Sequence, residues 1–96
     1  MITYHQLRTF LTVVRLGNLS KAARELNSTQ PTVSSQLHAL RDFLGAPLFE
    51  RPSGKFRLTP AGEMLHRYAE EAVGKLRILQ QDVNALLKYG RSMPTR

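Results

Sequence analysis

Apolar residues return at helical spacing in several stretches of the chain. Leu7, Phe10, Leu11 and Val14 form the first stripe, the i, i+3, i+4, i+7 pattern of one buried helix face. It predicts a helix from Tyr4 to about Leu16, opened by a Thr3/Gln6 capping-box pattern and stopped by Gly17. A second helix is expected to start at Ser20 as N-cap and to run to about Asn27, with Ala22, Ala23 and Leu26 inward. The two alanines are small enough to let another helix cross at close range.

Residues 27–29 read as a polar turn, with Asn27 suited to a left-handed position. Thr29 then caps a third helix whose first turn holds Pro31, where a missing N–H costs nothing. Val33, Leu37, Leu40 and Leu44 mark its buried face, and Gly45 ends it. Residues 47–51 and 56–59 are short strand-like runs around Pro52-Ser-Gly-Lys55, a hairpin pattern. Thr59-Pro60 opens a last helix with no strong breaker before Gly90. Its apolar positions Leu65, Ala69, Ala72, Leu76, Leu79, Val83 and Leu86 step alternately by four and three, a heptad seam. At ~1.5 Å per residue this helix would extend roughly 43 Å, too far to bury its seam against its own domain. A partner chain is therefore expected.

The third helix has an unusual outer face. With Val33 at the centre of the buried side, ~100° per residue places Pro31, Ser35 and His38 nearly opposite it. Thr32 and Ala39 flank them, and Gln30 and Ser34 lie at the shoulder. Ordinary surface helices favour Lys, Glu and Arg, yet none occurs from Gln30 to His38. Small neutral donors and acceptors suit a helix lying in a DNA major groove, where Gln can pair bidentately with adenine and hydroxyls or a Thr methyl can meet other edges. The free N–H groups of the first turn favour a nearby phosphate. Two helices joined by so short a turn, the second amphipathic, predict a helix-turn-helix.

Composition sharpens this picture. Ninety-six residues make one small domain without room for a deep enzyme cleft. Up to Thr59 eight basic residues face three acidic ones, whereas residues 60–90 carry four of each sign. A polyanion would be drawn to the first part and indifferent to the second. Cysteine is absent, which excludes disulfides and Cys-based metal sites and fits a reducing compartment, with the cytoplasm as default. No run approaches the ~20 apolar residues of a membrane span, and the N-terminus lacks the pattern of a signal peptide. His5, His38 and His66 fall on three different elements with no acidic cluster near them, so neither catalysis nor a metal site is predicted. Two other readings compete: an interaction module built on the heptad helix, and a winged-helix protein of a different class. The first leaves the charge asymmetry and the Thr-Gln-Pro start of the third helix without a role.

Leu19-Ser-Lys-Ala-Ala-Arg-Glu-Leu26, Thr29-Gln-Pro-Thr-Val-Ser34, residues 40–45, Leu48-Phe-Glu-Arg51 and Leu58-Thr-Pro-Ala-Gly62 occur in that order. Together they resemble the N-terminal DNA-binding region of LysR-type transcriptional regulators. The resemblance implies a mainly α fold, a winged helix-turn-helix of three helices plus a two-stranded hairpin wing in residues 2–59, with the helix-turn-helix at about 19–38. It implies a linker helix over 60–89 that pairs antiparallel in a homodimer, and a hinge or cut end at 90–96.

Carried over by position, Gln30, Pro31, Ser34 and Ser35 would approach bases or backbone in the major groove, with Thr32 and His38 as neighbours. Arg51, Ser53 and Lys55 would serve the wing at the backbone or a narrow minor groove. Gln6, Ser20 and Thr29 would anchor phosphates, which sets register without reading sequence. Two positions depart from the family pattern: many relatives carry Arg where this chain has Ser35, and Arg in the wing where it has Gly54. The resemblance further implies promoter DNA as partner, a homodimer that in the full-length protein could become a tetramer, and a bacterial cytoplasmic, nucleoid-associated setting. It implies no cofactor for this region, since an effector would bind a C-terminal domain that the chain lacks.

Overall fold

A computed structural model of the chain describes residues 1–52 and 56–90. It contains helices α1 (Tyr4–Leu16), α2 (Leu19–Glu25) and α3 (Gln30–Leu44), strands β1 (Phe49–Glu50) and β2 (Arg57–Leu58), and helix α4 (Pro60–Tyr89). This is a winged helix-turn-helix followed by a linker helix. Residues 53–55 and 91–96 lie outside the described residues.

Each helix starts where a side-chain oxygen can accept an otherwise orphaned N–H. Thr3 accepts from the Gln6 N–H at 3.1 Å while the Gln6 side chain accepts from the Thr3 N–H at 3.0 Å, the reciprocal box read from the sequence. The α2 start differs from expectation. Asn18, not Ser20, is the N-cap, accepting from the Lys21 N–H at 2.8 Å, and the helix ends at Glu25. Asn18 lies directly after Gly17, which is left-handed at φ 66. Its shorter reach to its own i+3 amide starts the helix as early as the turn permits. Ser20 thereby becomes a helical residue with its hydroxyl free of capping. Asn27 takes φ 54 in the turn, where its short polar side chain tolerates a conformation most residues avoid.

The core is built by one face of each of the first three helices. Phe10, Val13, Ala22, Val33 and Leu40 are fully buried, with Ala23, Leu37, Leu48 and Leu65 completing the cluster. Leu44, expected on the inner face of α3, is 43% exposed. It sits at the last turn of the helix, past the edge of the elements that cover Leu40.

The strands are only two residues each, shorter than the apolar runs that predicted them, and pair antiparallel with Phe49 opposite Leu58 and Glu50 opposite Arg57. Arg57 bridges to Glu50 across this pair at 3.2 Å. The hairpin is tied to the core by aromatic contacts: Phe10 to Phe49 at 5.4 Å between centroids, then Phe49 to Phe56 at 5.1 Å. Tilted and edge-on pairs of this kind add stabilisation beyond their buried area.

Thr59 joins hairpin to α4. Its hydroxyl accepts from the Gly62 N–H at 3.0 Å and donates to the Pro47 carbonyl at 2.6 Å, while its own N–H donates to the Leu48 carbonyl at 3.1 Å. Those bonds draw the chain around Leu48 onto the first turn of α4. A Cβ at position 62 would collide with the Leu48 carbonyl oxygen and lie 3.0 Å from Leu58 Cδ2.

Helix α4 carries two apolar rows rather than one. Leu65, Ala69 and Val73 are buried on the side where α4 packs on α1, a row advancing by four, as in ridge packing between inclined helices, while buried Gly62 ahead of them lies against Leu48 and Leu58. Leu65 and Ala69, expected in the partner seam, are therefore used inside the chain, and Val73 takes the next inner position in place of half-buried Ala72. Beyond Val73 the apolar positions of the helix are exposed, with Tyr4 of α1 still beside Leu76, Arg77 and Gln80. Leu76, Leu79, Val83 and Leu86 are 44%, 56%, 41% and 42% exposed.

Gly62→Ala tests the close approach at Thr59. Alanine would gain ~1 kcal/mol of helix propensity over glycine, but the backbone collision costs about 1–3 kcal/mol, so a lower melting temperature by circular dichroism is expected.

Candidate nucleic-acid interface

Burying Val33, Leu37 and Leu40 turns the opposite side of α3 to solvent. Gln30, Pro31, Thr32, Ser35, His38 and Ala39 are all exposed, and Ser34 is half-buried. No lysine, arginine or carboxylate interrupts that surface before Arg41. Gln36 lies in the same polar stretch but does not share the face: it accepts a hydrogen bond from the hydroxyl of buried Thr9 on α1. This anchor between α1 and α3 was invisible in the sequence, where Gln36 looked like its exposed neighbours.

The hydroxyls at the start of α3 are partly committed. Thr29 accepts the Thr32 N–H at 3.2 Å and donates its own proton to the Thr32 hydroxyl oxygen at 2.9 Å. Thr29 thus has no spare proton for a phosphate in this arrangement, whereas Thr32 keeps its proton. Gln6 uses its amide oxygen in the α1 capping box and retains its NH2 donors. Ser20 donates to the Gln30 amide oxygen at 3.0 Å, so two of the sequence-predicted residues, from different helices, are brought into direct contact.

Two clefts connect α3 to the hairpin. One, about 290 Å³, is lined by Ser34, Leu37, His38 and Arg41 on α3 and by Phe49, Arg51 and Phe56. The other, about 490 Å³, brings together Asn18, Ser20, Gln30, Arg51 and Phe56. Arg51 lines both, its guanidinium carbon 4.1 Å from the Phe56 ring centroid. Stacking on an aromatic face holds the planar cation without consuming its charge. Phe56 escaped the sequence reading because a lone aromatic at a hairpin reads as a strand residue. Its alternation with Phe49 around the turn was the available signal.

Among the described residues of the first 59, Arg15, Arg41 and Arg57 are paired with Glu25, Asp42 and Glu50. Arg8, Lys21, Arg24 and Arg51 have no carboxylate within bridging distance there, so the positive excess of this part remains available to an external anion. Ser53 and Lys55, expected at the wing, lie outside the described residues. No group of His, Cys, Asp or Glu able to hold a metal occurs among the described residues. Nor is any described helix long and apolar enough to cross a membrane.

The family model of bacterial regulatory helix-turn-helix proteins of the lysR family matches residues 4–63. The chain belongs to the lysR family. The transcriptional regulator CfxR of Cupriavidus necator is 36% identical over 85 residues, covering 88% of this chain and 27% of that protein. Thus the chain spans about a quarter of the length of such LysR-family relatives. Vibrio fischeri DarR, solved in complex with DNA, superposes with a TM-score of 0.83 at 30% identity, covering 94% of this chain and 31% of that one. The BenM DNA-binding domain, solved with catB site 1 DNA, gives a TM-score of 0.83 at 29% identity, covering 88% of this chain and 94% of that one.

Thr9→Val should lower stability by about 1–3 kcal/mol in urea titration, because Gln36 keeps its desolvation cost without a partner. Adding Gln36→Leu should recover part of that loss. Equal or greater loss in the double variant would show that the Thr9–Gln36 contact contributes little.

Proposed function

We propose that this LysR-family chain binds double-stranded promoter DNA in a sequence-specific manner as a homodimer, as the DNA-binding part of a transcriptional regulator. The observation that carries the proposal is the exposed face of α3, free of Lys, Arg and carboxylates before Arg41, bordered by Arg51, which has no carboxylate partner among the described residues. In the complexes of DarR and the BenM domain, proteins of the same fold are bound to DNA, which supports the reading for this chain.

In this proposal residues 2–59 form the DNA-binding unit and residues 60–89 the dimerisation helix. Helix α3 enters the major groove, where Gln30, Pro31, Thr32, Ser34, Ser35 and His38 meet base edges or the adjoining backbone. Arg51, with Ser53 and Lys55 between the two strands in sequence, meets backbone or minor groove. Gln6 and the first turns of α2 and α3 contribute phosphate contacts. The division of labour follows from chemistry: cations supply affinity for any duplex, and neutral side chains at base edges supply choice.

The exposed row Leu76, Leu79, Val83 and Leu86, with Ala72 at its near end, is the surface proposed to pair with the same helix of a second copy. Such a seam is apolar and too regular for a solvated helix face. Pairing two copies would set two α3 helices into successive major grooves about one helical turn, ~34 Å, apart.

Gln30→Ala should cost on the order of 1–3 kcal/mol on a preferred duplex and much less on a scrambled one, measured by fluorescence anisotropy at two salt concentrations. Equal losses on both would remove Gln30 from base reading. Arg51→Ala should weaken both duplexes alike and flatten the salt slope by about one unit.

Leu76→Asp places a charge in the proposed seam and should give monomers by sedimentation, with weaker binding to a two-half-site duplex. A persistent dimer would put the partner surface elsewhere.

A further inference from the structure

We infer that Ser20 is a positioning residue for Gln30, fixing which end of its amide is offered to DNA; the inference rests on the base-reading role proposed for Gln30. Because Asn18 caps α2, the Ser20 hydroxyl is released from the duty expected of it. It donates instead to the Gln30 Oε1 at 3.0 Å, across the turn from α2 to α3.

A glutamine amide presents an acceptor at one end and two donors at the other, and the two ends are nearly the same shape. Free to rotate, it could offer either end to a base. Here the oxygen is held by Ser20, so Nε2 points away from α2. Arg51 reinforces this choice, because it lines the same cleft and is itself a donor. The Ser20 hydroxyl can donate or accept and so tethers the amide, while Arg51, which only donates, favours the oxygen over an NH2 group on the cleft side.

The outward end of Gln30 is therefore a donor. In the major groove it can serve the acceptors of guanine, adenine N7 or thymine O4. The cytosine edge, which offers only an amino donor, is the one it cannot serve. Ser20 thus acts as a filter against cytosine at the position read by Gln30, not as an independent phosphate contact.

The test selects bound duplexes from a library with a randomised central stretch, using the 96-residue chain and its Ser20→Ala, Ser20→Thr and Gln30→Ala variants, each checked for its helical circular dichroism spectrum. Expected is a motif position that excludes cytosine in the unaltered chain and loses all preference with Gln30→Ala. At that position Ser20→Ala should tolerate cytosine on the order of three- to tenfold more, the worth of one hydrogen bond, and Ser20→Thr should restore the exclusion. If Ser20→Ala leaves the motif intact, whether or not it weakens every duplex and lowers the salt slope, the positioning role is overturned while base reading by Gln30 stands. If Gln30→Ala leaves the motif intact, or no motif emerges, base reading itself fails and the Ser20 inference falls with it.

Discussion

Close packing of α1, α2 and α3 around one core is the constraint on which the rest of the structure depends. Ala22 is fully buried and Ala23 nearly so, so α2 enters that core with small side chains and can approach its neighbours closely. That approach seats Val33, Leu37 and Leu40 inward, and by helical periodicity leaves Gln30, Ser35 and His38 outward. It also brings the first turn of α2 within hydrogen-bonding reach of the first residue of α3.

The remaining elements brace this pair. Helix α1 supplies Phe10 and Val13 beneath it, and the Thr9 hydroxyl holds α3 from the side through Gln36. The tilted and edge-on contacts among Phe10, Phe49 and Phe56 carry the order of the core outward to Arg51. A flexible cation is thereby stationed beside the neutral face of α3 at little entropic cost. Positive charge and uncharged hydrogen-bonding groups sit side by side, the combination that separates attraction to a polyanion from discrimination among bases.

Helix starts were readable because capping is local chemistry: Thr3 with Gln6, Thr29 with Pro31 and Thr59 with Pro60 each declare themselves within four residues. Asn18 and Ser20 were not separable on that basis, since both are good caps two residues apart. The long helix was legible as a seam, but not where the seam changes owner. Leu65 and Ala69 match a heptad as well as Leu76 and Leu79 do, and only the presence of α1 beside them assigns the first pair to the interior. Gln36 failed to stand out for a similar reason, as its partner Thr9 lies on another helix.

By itself the sequence determined the four helices, the turn between α2 and α3, the hairpin, and the neutrality of the outer face of α3. These rest on periodicity, capping and charge, which are properties of neighbours along the chain. Tertiary structure alone decided that Ser20 meets Gln30, that Gln36 turns inward, that Arg51 stacks on Phe56, and that Gly62 must lack a side chain beside the Leu48 carbonyl. Each of these depends on the distance between elements, and that distance is set by how side chains of different helices fill one core.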